Sequence, residues 1–235
     1  MNKIITPAAI AALVFSPFAS ALELGHGLSL KGFGTVGLVH SDNNQADYVA
    51  NYYFQPTGAG ASRQTQYAVD TRAGIQLDWQ AAERISLTAQ VISKQFEDKT
   101  WTPRLELAFV KFAASPDLDI RIGRIRPAVY MLSSFLDVNY ANPWVRPPVE
   151  FYSSAPLSRL EGADLIWRPK TGDVTWVVQP YAGYSKLDLP NNADLEAKKI
   201  FGINLAASLG DFTLRGGYLQ TDLTVNRPAI NTTVA

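Results

Sequence analysis

No cysteine occurs anywhere in the 235 residues, so a disulfide framework and a thiolate metal site are both excluded. Histidine is nearly absent too. His26 and His40 are the only two, and no G-x-S-x-G motif offers a nucleophile for them to activate. His40 reads as a solvated strand-end residue, and no catalytic residue, metal or cofactor is expected. Charge of one sign is also missing: 21 basic residues face 21 acidic ones, which leaves no footprint for nucleic acid. Beyond Leu22 there is no apolar run of the roughly 18 residues that a membrane helix needs.

What is present begins with the amino terminus. Asn2 and Lys3 precede an apolar stretch from Ile4 to Phe15, and Ala19-Ser20-Ala21 is an A-x-A cleavage pattern. Residues 1–21 therefore read as a secretory signal, against a buried or anchoring helix that Pro7 and Pro17 disfavour. The remaining chain, 22–235, carries 20 basic and 21 acidic residues.

Period-two alternation dominates that remainder. In YAVDTRAGIQLDW, Val69, Thr71, Ala73, Ile75, Leu77 and Trp79 oppose Asp70, Arg72, Gly74, Gln76 and Asp78. In ISLTAQVIS, Ile85, Leu87, Ala89 and Val91 oppose Ser86, Thr88 and Gln90, with Ile92 out of phase. LDIRIG and VTWVVQPYAGYS repeat the pattern, and stretches 28–40, 103–112, 158–168, 199–209 and 212–222 complete about nine strands with no convincing helix. Connections alternate between short (80–84, 113–117, 169–173, 210–211) and long (41–65, 94–102, 124–157, 186–198). Strands of this length, short turns on one side and long loops on the other predict an all-β, antiparallel transmembrane β-barrel. Trp79, Phe112, Trp167 and Phe212 stand near the short turns, where an interface belt belongs. A soluble β-sandwich also alternates, but ionic residues recur on the polar face of successive strands here. Nine strands cannot close a single-chain barrel of even strand number, so 22–235 reads as the front part of a longer barrel.

Arg72, Arg104 and Arg159 lie 8, 9 and 10 residues before the next short turn, counted to Gln80, Ala113 and Pro169. On second-neighbour strands they would stand at one height, roughly 10 Å apart. By parity Arg72 faces the lumen, and Arg104 does so together with Glu106. Between strands five and six runs the stretch DVNYANPWVRPPVEFYSS (137–154), whose Pro143, Pro147 and Pro148 exclude a strand. Trp144, Phe151 and Tyr152 give it surfaces to pack on an inner wall. Folded inward, the connection 124–157 would bring Asp137 and Glu150 opposite the arginines, with Arg146 adding a positive charge of its own. The other reading is an external loop that protects the rim or contacts a neighbouring subunit.

These residues resemble the Gram-negative general and substrate-selective porins. The resemblance rests on GFGTVGLVHS, DTRAGIQLDW, PRLELAFVKF, LDIRIGRIRP and SRLEGADLIW. It implies a porin-type barrel of about sixteen strands, of which about nine are visible, exported to the outer membrane and assembled as a homotrimer in lipid. It further implies a pore constriction formed by Arg72, Arg104, Arg159, Asp137, Glu150 and Arg146. The expected function is passive diffusion of small hydrophilic solutes or ions. The alternative is a non-conducting adhesive or structural outer-membrane barrel, with an outer-membrane hydrolase further behind.

Overall fold

Within the main sheet, each strand pairs with the sheet strand before it and the one after it in sequence, so the architecture is an antiparallel meander. The computed structural model describes residues 21–51, 55–133, 136–138, 141, 148–154 and 157–228. The signal read over 1–21 lies outside these apart from Ala21, as do Pro143, Trp144, Arg146, Pro147 and the residues after Pro228.

Two strands open the chain, β1 (Leu22–Gly25) and β2 (Leu28–Thr35), and four two-residue strands follow: β3 (Val39–His40), β4 (Asp47–Tyr48), β5 (Ala59–Gly60) and β6 (Thr65–Gln66). The main run is β7 (Arg72–Ala82), β8 (Ile85–Lys94), β9 (Arg104–Ser115) and β10 (Leu118–Ile125). After a connection holding the single turn α1 (Val149–Tyr152) come β11 (Leu160–Trp167), the short β12 (Lys170–Thr171), β13 (Val174–Leu189), β14 (Ala193–Leu209) and β15 (Phe212–Asn226). Among the described residues, ten of these form one sheet in the order β1-β2-β7-β8-β9-β10-β11-β13-β14-β15, with β12 paired beside it on β13. β1 and β15 end the order and are not paired with each other.

Each of the nine expected strands has a counterpart, although the first, expected over 28–40, ends at Thr35 with Val39–His40 set apart as β3, and two further differences stand out. Leu22–Gly25 adds a strand, because His26 and Gly27 take φ of 52° and 76°, the primed turn that matches strand twist. The stretch 186–198 is not a long loop. β13 runs on to Leu189, turns at 190–192, and returns as β14 from Ala193, with Asn191 and Asn192 at φ of 64° and 56°. A register shift with Lys199 at φ 50° then resets the phase. Ala193, Leu195 and Ala197 thereby share their buried state with Ile200, an odd number of residues away.

The two faces of the sheet are inverted relative to a soluble domain. Large apolar side chains stand exposed on one face: Ile75 and Leu77 of β7, Val110 of β9, Ile122 of β10, Leu205 of β14 and, at 79%, Leu214 of β15. The opposite face carries hydrogen-bonded polar groups. Asp78 accepts from Lys31, Gln76 and Thr88, and Gln76 accepts from Gln90. Farther along, Asp164 accepts from Arg121 and Gln179. Polar side chains directly opposite one another on adjacent strands satisfy each other without needing an apolar partner layer.

The connection between β10 and β11 lies against this polar face. Arg72 of β7 reaches Asp137, and Arg215 of β15 donates to the Ala128 carbonyl at 2.7 Å. In a flat sheet β7 and β15 would be about 34 Å apart, at roughly 4.8 Å per strand. Yet Asp137 pairs with Arg126 at 2.7 Å, two residues from Ala128. One small segment thus touches strands seven steps apart, so the sheet curls around it. The apolar core sits here: Ile125, Leu157, Leu160, Tyr181, Leu187, Leu195 and Ile200 form one buried cluster with Val129 packed on it. Ile92, the out-of-phase residue of β8, is fully buried.

Candidate functional site

β7, β9 and β11 run in the same direction, and their amino-terminal ends place Arg72, Arg104 and, one residue before β11, Arg159 around one cavity. The cavity measures about 140 Å³ and is also lined by Lys94, Glu97, Glu106, Asp137 and Asp188. Its apolar lining includes Phe96, Leu136 and Leu187.

Asp137 is the centre of the charge arrangement. Its carboxylate is 3% exposed and contacts Arg126 at 2.7 Å, Lys94 at 2.9 Å and Arg72 at 3.3 Å. Burial by itself would raise its pKa, but Lys94, Arg126 and Arg72 together hold it well below the ordinary carboxylate range. The segment 126–138 is therefore closed on itself by Arg126 and fastened to two strands by Arg72 and Lys94.

Glu106 forms the second node. The pairing of β8 with β9 passes from Gln90↔Leu107 to Val91↔Leu105, so Glu106 is the extra residue of a bulge. Bulges re-aim side chains. Glu106 lies buried between Arg159 at 3.7 Å and Arg126 at 3.9 Å. Beyond it the phase has changed, and Phe109 sits beneath the Arg121 guanidinium at 5.2 Å.

Arg104 belongs to a separate, local group. It pairs with Glu97 at 2.6 Å and Asp98 at 2.9 Å, and its guanidinium stacks on Phe96 at 4.1 Å. Arg159 donates to the Lys186 carbonyl at 3.2 Å.

Of the six residues singled out from the sequence, Arg72, Arg104, Arg159 and Asp137 line the cavity. Glu150 does not join them. The turn of α1 buries Val149 and leaves Glu150 exposed, with no ion pair among the described residues. Arg146 lies outside the described residues. Phe151 is 60% exposed and meets Tyr130 edge-on, whereas Tyr152 lines the cavity. Sequence reasoning missed Lys94 and Arg126. Lys94 continues the inward phase of Gln90 and Ile92, so the out-of-phase isoleucine was its signal. Arg126 follows β10 by one residue, where alternation gives no guidance. His40 shares a 2.8 Å hydrogen bond with Thr65 across β3 and β6. Among the described residues no group of three or more histidines, cysteines and carboxylates is placed to hold a metal.

No protein-family model matches the chain, and no curated protein matches it.

Proposed function

We propose that the chain is an outer-membrane porin that lets small hydrophilic solutes and ions diffuse past a charged constriction. The observation that carries this reading is the inversion of the sheet: exposed apolar side chains on the convex face, paired polar ones on the face that Ala128 and Asp137 of the β10–β11 connection touch. A convex apolar face suits lipid, and a polar concave face suits water. Closure of the barrel and residence in the outer membrane belong to the same proposal, as does the reading of Arg72, Arg104, Arg159 and Asp137 as constriction residues. Solutes would cross without covalent chemistry, sorted by size and by the fixed charges they pass.

One observation favours the alternative, a non-conducting barrel. The described parts of the β10–β11 connection lie against the polar face, and the cavity beside them measures about 140 Å³. Liposome swelling separates the two. The full chain, reconstituted in liposomes held in iso-osmotic arabinose, should cause swelling that empty liposomes lack. Absence of swelling with verified insertion would favour the filled barrel.

A further inference from the structure

Resting on the reading of this cavity as a solute passage, we propose that its Arg72, Lys94 and Arg159 side binds short organic monocarboxylates. Charge balance is the first reason. Among the described residues, four cations, Arg72, Lys94, Arg126 and Arg159, make their ion pairs with two carboxylates, Asp137 and Glu106. The side chains of Arg72, Arg126 and Arg159 are 14%, 7% and 16% exposed, so solvent screens this excess weakly. A half-buried surplus of positive charge attracts an anion.

Donor capacity is the second reason. Arg72 Nε is buried without a hydrogen-bond partner, and Lys94 spends one of its three N–H groups on Asp137. Arg159 stands 3.7 Å from Glu106 and, among the described residues, hydrogen-bonds a backbone carbonyl alone. The site also displays the chemistry itself, because the carboxylate of Asp137 is held by three of these cations.

The remaining walls narrow the ligand. Arg104 is already paired with Glu97 and Asp98, and Asp188 lines the same cavity. That side repels a second negative charge, which disfavours dicarboxylates and polyphosphates. Phe96, Leu136 and Leu187 supply apolar surface for a short alkyl tail. A single carboxylate on a few carbons satisfies both ends.

The test uses the full chain folded in detergent micelles, titrated with butyrate and, in parallel, with neutral butyramide and cationic butylammonium, followed by ligand NMR saturation transfer. Butyrate should bind and the other two should not. Arg159→Gln should weaken butyrate about tenfold, the worth of one charge-assisted contact, while Arg159→Lys retains most of it. Butyramide binding as well as butyrate, or a preference for butylammonium, would overturn the site. So would an Arg159→Gln variant that binds like the parent chain. If that variant does not fold, the comparison of the three ligands on the unaltered chain still decides. Sugar-driven swelling without butyrate binding overturns the anion site alone, whereas butyrate binding without swelling overturns the passage alone.

Discussion

Asp137 and Arg104 each hold more than one partner of opposite charge, yet the two clusters differ in what sets an ion pair's energy. Asp137 is 3% exposed, and its partners come from β7, from the end of β8 and from the residue after β10. Arg104 pairs within its own neighbourhood, with Glu97 and Asp98 six or seven residues away, and Asp98 is 48% exposed. The first cluster joins segments that are distant in sequence and is shielded from water. The second orders a short connection and stays partly in solvent. Matching height on the wall therefore does not make Arg72 and Arg104 equivalent: Arg72 anchors an inward segment, and Arg104 braces the β8–β9 connection.

Removing Asp137 should break the comparison most. Asp137→Ala leaves Arg72, Lys94 and Arg126 crowded without their carboxylate, at a cost of about 3–5 kcal/mol. Chemical unfolding would read this loss, and limited proteolysis would show new cleavage between β10 and β11. Arg104→Ala should cost about 1 kcal/mol or less, as expected for a partly exposed pair. Raising salt should shrink the Arg104 effect and leave the Asp137 effect nearly unchanged. The smallest expected effect is that of mild acid. The folded pKa of Asp137 lies below its unfolded value of about 4, so its contribution is complete above that value and is lost only as pH falls through the depressed one. Protease resistance of the connection should thus be the same at pH 7 and pH 5.

Alternation made the long strands legible, and the short turns followed from them. Where alternation changes phase, the sequence misled. The reversal at Lys198 and Lys199, with prolyl-asparaginyl turn residues before it, disguised a buried hairpin as a polar loop. The bulge at Glu106 likewise separates Arg104 from the inward residues farther down β9. At the site, parity was enough to orient Arg72. Which carboxylate of the β10–β11 connection meets the wall was not legible, because α1 decides it by turning Val149 in and Glu150 out. Lys94 and Arg126 depend on how the segment closes on itself, a property of three dimensions with no local pattern.

Which face of the sheet meets lipid decides between a pore and any other role, and the absence of cysteine makes this directly measurable. Single cysteines placed at Gln76, Leu77, Leu205 and Ala206 in the full chain, reconstituted in liposomes, would be challenged with a membrane-impermeant maleimide; a second portion, labelled with a fluorophore before reconstitution, would be exposed to a lipid-soluble quencher. The prediction is alternation: positions 76 and 206 react with the aqueous reagent, whereas 77 and 205 are shielded from it and are quenched from the lipid. Equal aqueous labelling at all four positions, or a chain that stays soluble without lipid or detergent, would contradict it.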